Sequence, residues 1–156
     1  MIIKHATRED LPHIYTLSNQ INAQHHQHLP DDFAEPSHDQ RDAPYWVPFL
    51  EDDDSTILIA QRDKAIVGVI CAKLVLNKSV PFLVHKKRCF IGTIVVAEKQ
   101  QGSGIGKQLM QAIEQWALHN NAVEIMLEVM RFNDSAKQFY QSLAYREFST
   151  KMSKKL

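Results

Sequence analysis

Cysteine is nearly absent from this sequence. Only Cys71 and Cys89 occur, too few and too far apart for a disulfide scaffold or a Cys-rich zinc site. An excess of one charge is lacking as well: 18 basic and 18 acidic side chains cancel to a formal net charge of zero. Long-range attraction to nucleic acid needs a basic excess, so no nucleic-acid partner is expected. No window approaches the run of about 20 apolar residues that spans a bilayer. Met1 to His5 carries none of the long apolar stretch of a secretory signal. Internal repeats and low-complexity tracts are missing too. The expectation is a cytoplasmic domain with reduced thiols and no membrane partner.

What is present fits a single domain over residues 1–156. Apolar residues make up 44% and charged residues 23%, close to soluble globular averages, and the length is enough to bury a core. Ile2 to Ala6 reads as a short strand, and Thr7-Arg8-Glu9-Asp10 as a helix start. Leu11, Ile14, Leu17 and Ile21 recur at helical spacing, with Pro12 tolerable in the first turn. Residues 22–54 show no clean period. They hold His25, His26, His28 and His38, four prolines and the aromatic cluster Tyr45, Trp46 and Phe49. A stretch this long is functional or contains short helices.

Beyond Glu51 to Asp54 the pattern becomes β. Thr56 to Ala60 and Ala65 to Leu76 make a hairpin around Gln61-Arg62-Asp63-Lys64. Cys89 to Val96 is a further strand. A helix starts at Ile105, with Leu109, Ile113 and Trp116 on its apolar face and Asn120-Asn121 as its stop. Val123, Ile125, Leu127 and Val129 alternate as a strand. Ala136, Phe139, Tyr140 and Leu143 mark a helix, and Arg146 to Met152 a last strand. This order predicts a mixed sheet with helices packed on it.

A strand followed by Gly102-Ser103-Gly104-Ile105-Gly106 and a helix is phosphate-binding chemistry. Glycines admit close backbone approach, and the first helical turn offers free N–H groups to an anion. A P-loop is excluded, because Gln stands at positions 101 and 108 where glycine and Ser or Thr are needed. Rossmann spacing fails as well, with Lys107 and Leu109 where a third small residue belongs.

The run Ile94-x-Val96-x-x-x-x-Gln101-x-x-Gly104-x-Gly106 resembles motif A of the GNAT family of N-acetyltransferases. Glu98 stands where many members have proline, and Gln101 where arginine is commoner. Leu127-Glu128-Val129 through Asn133, Ala136, Phe139-Tyr140 and Leu143-Ala144-Tyr145 resembles motif B, with Ala144 replacing the usual glycine. The two ends of the chain look like the family's ends, so only residues 22–54 are unmatched.

The resemblance implies an α/β (α+β) fold with a mostly antiparallel central sheet of about six to seven strands and about four helices. It implies acetyl-CoA as cosubstrate and transfer of acetyl to a primary amine, either a small molecule or a protein N-terminus. Backbone amides of Gln101, Gly102, Ser103, Gly104, Ile105, Gly106 and Lys107 would hold the pyrophosphate. Ile94, Val95 and Val96 would face the thioester, with N–H groups near Val96 as the oxyanion donors. Asn133 would hold the pantetheine arm, and it also suits a helix N-cap. Tyr140 matches the general acid. A phenol suits that task because it donates a proton yet stays neutral at pH 7.

Glu128 matches the base of the ribosomal-protein alanine N-acetyltransferase subgroup, although Leu-Glu-Val recurs whether or not the glutamate is catalytic. A water relay or His85 is the fallback. No metal is expected, because the histidine spacing fits no familiar motif; these histidines read as polar loop or substrate-site residues. Asp31, Asp32, Glu35 and Glu51 to Asp54 read either as an attraction for a cationic amine substrate or, more often for such runs, as a solvated surface. Lys86, Lys87, Arg88 and Lys107 read either as candidates to meet CoA phosphate or as ordinary exposed charges. A homodimer stays open. The alternative reading is an acyl-CoA-binding module of the same fold without turnover.

Overall fold

The computed structural model describes residues 1–37 and 39–156. One sheet runs in the order β1 (Ile2–His5), β2 (Ser55–Arg62), β3 (Ala65–Leu76), β4 (Lys87–Val96) and β5 (Glu124–Met126). Neighbours pair antiparallel except β4 and β5, which are parallel. Helices α1 (Leu11–His28) and α2 (Ala43–Glu51) cover one face. Helices α3 (Ile105–His119) and α4 (Asp134–Ser142) cover the other.

Strand alternation divides the core between these faces. Ile57 and Ile59 of β2 pack toward α1 and α2 with Ile14, Leu17 and Trp46. Leu58 and Ala60 pack toward α3 with Ile105, Leu109 and Ile113. The β2–β3 hairpin turns on Asp63 and Lys64, both left-handed at φ 49° and 68°, as a two-residue turn demands.

A bulge in β4 breaks the alternation. Cys71 of β3 pairs with Thr93 and Ala72 with Ile91, which leaves Gly92 as an extra residue. Before it, Cys89 and Ile91 face the α3 side; after it, Val95 joins the α1 side and Ile94 and Val96 the α3 side. A glycine is needed there, because an added Cβ would lie 2.7 Å from Tyr45 Oη and 3.2 Å from Cys71 Sγ.

Three expectations are corrected. The sheet has five strands among the described residues, not six or seven. Pairing of β4 with β5 covers only Arg88 to Phe90; the bulge then bends β4 away, so Leu127 to Val129 have no ladder partner. Residues 146–152 form no strand either. Every one of them is exposed, and Phe148 and Met152 alone supply no alternating apolar face to bury.

The first helix extends past Ile21 to His28, so His25, His26 and His28 lie in its last turns and not in a loop. Its end comes at Leu29, where Pro30 disfavours a helical residue before it. The aromatic cluster belongs to α2, whose period was hidden by Pro44 and Pro48. Trp46 is buried, whereas Tyr45 is open on one side of its ring. His38 lies outside the described residues.

Candidate active site

Where β4 and β5 part, a cleft of about 1500 Å³ opens. It is lined by Ile91 to Val96, by Leu127 to Met130, by the glycine loop and by the polar face of α1. All the site residues that the two motifs imply line it except Ser103. The Ser103 hydroxyl instead donates to Gln100 O at 2.5 Å, bracing the loop from outside.

The loop's shape follows from its glycines. Gly102 and Gly104 are left-handed, at φ 74° and 82°, with open space where a Cβ would stand. Among the described residues no N–H of residues 102–107 donates within the chain; the first helical bond of α3 is Gln108 N to Gly104 O at 3.1 Å. These free donors and the helix dipole face the cleft together with Lys107. Gly106 has a different task, because a Cβ there would meet the Phe139 ring at 3.2 Å. It lets α3 approach α4 closely.

Four polar side chains fasten the loop. Gln101 Nε2 donates to Val96 O at 3.2 Å, and Gln20 Nε2 from α1 donates to the same oxygen at 3.3 Å. Gln20 Oε1 also accepts from Glu98 N at 3.1 Å. Arg62 at the end of β2 donates to Gln100 Oε1 at 2.7 Å. Neither Gln20 nor Arg62 was singled out from the sequence. A polar stripe of Gln20, Gln24 and Gln27 along α1 was the available signal, and all three line the cleft.

Tyr140 is buried on α4, between the rings of Phe139 and Tyr145. Loss of solvent pushes its phenol up to about 12. Among the described residues its hydroxyl has no hydrogen-bond partner in the protein. Asn133 caps α4 by accepting from Ala136 N at 3.1 Å and Ser135 Oγ at 3.0 Å, and it lines the cleft as well. Glu128 is exposed at the mouth, where Lys151 Nζ reaches its Oε1 at 3.4 Å.

The lining also includes His25, Asn22, Asp32, Phe33, Asp42 and Tyr45. Burial and the neighbouring His28 lower the pKa of His25, whose ring lies 4.6 Å from Phe33 and 5.6 Å from Phe132. His28 stacks on Phe132 at 4.2 Å. These aromatic contacts bridge the end of α1 to the segment before α4. Tyr45 Oη pairs with Thr93 Oγ1 at 2.7 Å across the Gly92 bulge.

Several candidates lie elsewhere. His85 precedes β4 at the end opposite Val96 and does not line the cleft. Lys86 and Arg88 are spent on Glu124, at 3.6 and 2.6 Å, and their charge holds its carboxyl below the usual range, with the Arg88 hydrogen bond as the largest cause. Glu51 pairs with Arg8. Among the described residues no three His, Cys, Asp or Glu side chains converge as a metal site, and no helix is long and apolar enough to cross a membrane.

Comparison with known proteins gives one consistent set of matches. The model of the Acetyltransferase (GNAT) family matches residues 11–145. An N-alpha-acetyltransferase of Sulfurisphaera tokodaii is 30% identical over 108 residues, covering 66% of this chain and 64% of that protein. The chain spans less than two thirds of the length of each curated relative it matches. A solved point mutant of a Bacillus halodurans protein superposes with a TM-score of 0.92 at 28% identity, covering 100% of this chain and 99% of that one. An aminoglycoside N-acetyltransferase solved in complex with CoA shares the fold, with a TM-score of 0.75 at 17% identity over 99% and 98% of the two chains.

Proposed function

Because the chain belongs to the GNAT family of acetyltransferases, we propose that it moves acetyl from acetyl-CoA to a primary amine by direct attack in a ternary complex. The observation that carries this reading is the cleft itself, which is lined both by a glycine loop with unpaired backbone N–H groups and by the buried phenol of Tyr140. The pyrophosphate would sit on the amides of residues 102–107 with Lys107 beside it. Asn133 and the walls of Ile94 to Val96 and Leu127 to Val129 would hold the arm that carries the thioester.

Chemistry follows from position. In an antiparallel edge alternate N–H groups point away from the partner strand, so the part of β4 that β5 abandons presents donors to the developing oxyanion. Glu128, or water beside it, takes the proton from the amine. Tyr140 donates toward the departing thiolate. A phenol near 12 is a weak acid for that purpose in water. Loss of solvent raises thiols in the same way, as it does for Cys71 and Cys89 in the core, both pushed up to about 11, so a leaving sulfur desolvated by the bound cofactor would also be raised, toward the phenol. The same burial denies either cysteine a thiolate at neutral pH, which supports direct attack over an acyl-cysteine route.

The acceptor is a small amine or a protein N-terminus; the N-alpha-acetyltransferase relative favours including N-terminal peptides in any screen. Thiol release from acetyl-CoA should be followed across a panel of amines and such peptides. Release that depends on one acceptor class supports the proposal. Tight CoA binding with no release for any acceptor would instead identify a binding module.

A further inference from the structure

The C-terminal segment bears on the same site. Lys151 Nζ lies 3.4 Å from Glu128 Oε1. Lys155 Nζ lies 2.5 Å from Asp31 Oδ2, next in sequence to Asp32 of the cleft wall. These two contacts hold Lys151 beside Glu128 of the cleft lining and Lys155 beside the segment that follows α1. All four side chains are largely exposed, and exposed ion pairs add little stability. Both pairs therefore form and break readily.

We propose that Lys151 is itself an acetyl acceptor, so that the chain acetylates its own C-terminal segment. This inference rests on the acetyl-transfer reading given above. Lys151 is a primary amine held against the carboxylate that would deprotonate an acceptor. Being tethered, it is present at an effective concentration on the order of millimolar even when no other amine is. Lys154 has no such contact, and Lys155 is held by a carboxylate outside the cleft lining.

The step balances. The Lys151 ammonium gives one proton to Glu128, and the freed lone pair attacks the thioester carbonyl carbon. A C–N bond forms and the C–S bond breaks as the tetrahedral intermediate collapses. The second amine proton replaces the one Tyr140 gives to the sulfur, leaving an amide, free CoA thiol and one proton released to water. Acetylated Lys151 carries no charge. Its pairing with Glu128 is lost, and the segment keeps only the Lys155 anchor.

The test uses the full chain with acetyl-CoA and locates added acetyl groups by mass spectrometry of its peptides. A panel of free amines and N-terminal peptides runs in parallel. The expected result is labelling at Lys151, faster than at Lys154 by about tenfold or more, at a rate independent of protein concentration. Tyr140→Phe should slow the labelling, Lys151→Arg should abolish it, and Lys154→Arg should leave it unchanged. Equal labelling of Lys151, Lys154 and Lys155, labelling undiminished by Tyr140→Phe, or a rate proportional to protein concentration would each overturn the proposal. No label while free amines are acetylated overturns it alone. No label and no acetylated amine removes the acetyl-transfer reading as well.

Discussion

Tyr145 lays its ring against Tyr140, with centroids 5.8 Å apart at 60°, and an alanine in a left-handed turn makes that contact. Tyr145 N bonds Tyr140 O at 3.0 Å, and Ala144 N bonds Gln141 O at 3.0 Å. This is the pair of bonds that closes a Schellman cap, and a hydrophobic contact across it is its usual companion. The end of α4 therefore seals one side of the candidate acid.

Ala144 has φ 66°, a conformation that costs an L-residue about 1–2 kcal/mol. Ala144→Gly should relieve it, less the extra freedom glycine gains in the unfolded chain. The net gain should be about 0.5–1 kcal/mol, read as a higher urea midpoint at constant m-value. A lower midpoint would show that the turn carries no strain.

Tyr140→Phe should lower kcat by about a hundredfold or more while leaving the Kd for acetyl-CoA within a factor of two or so. Burial adds a pH signature. The folded phenol holds its proton to about 12, whereas an unfolded one releases it near 10. Between these values the unfolded state binds fewer protons, so stability should fall as pH rises through this window. Tyr45 and Tyr145 are shifted the same way by burial. Denaturation midpoints from pH 9 to 12 should show a shallower fall in the Tyr140→Phe chain. An identical slope would mean that the hydroxyl is not buried.

Much of the glycine loop, α3 and the start of α4 was legible in the sequence, because their signals are local. Gly102 and Gly104 announce a left-handed loop, Asn133 a cap, and the Ile105-to-Trp116 stripe a packed helix. The α1 and α2 side of the cleft was not, for two physical reasons. Residues 22–28 of α1 turn a polar face to the cleft, so no apolar period marks them. In α2 two prolines interrupt the pattern that burial of Trp46 would otherwise reveal. The short β5 was equally hidden: Leu127 and Val129 alternate like a strand, yet the bulge at Gly92, far off in sequence, removes their partner.

That bulge gives a third prediction. In Gly92→Ala the new methyl meets Tyr45 Oη, Phe49 Cζ and Cys71 Sγ at 2.7, 3.1 and 3.2 Å, and overpacking of this kind costs about 1–3 kcal/mol. Tyr45→Phe removes the nearest of those atoms. Its cost should therefore be smaller in the Gly92→Ala background than in the natural chain, a coupling that a double-mutant cycle measures directly. Strict additivity would mean that α2 moves away as a unit.

The fourth concerns Gln20. Its side chain meets both Val96 O and Glu98 N, tying α1 to the entrance of the glycine loop. Gln20→Ala removes both bonds, at about 1 kcal/mol each, and the KM for acetyl-CoA should rise by about fivefold or more. The KM for the amine should change less. An effect confined to the amine would assign Gln20 to the acceptor instead.

Cys71 and Cys89 pack in different halves of the core, Cys71 with Ile14, Leu17 and Trp46, Cys89 with Leu109, Met110 and Ile113. Both are free and buried. A soluble alkylating reagent can reach either only when its own layer lifts from the sheet. The two thiols are thus a built-in pair of clocks, one for α1 and α2 and one for α3 and α4. The order in which they are trapped reveals which layer breathes first.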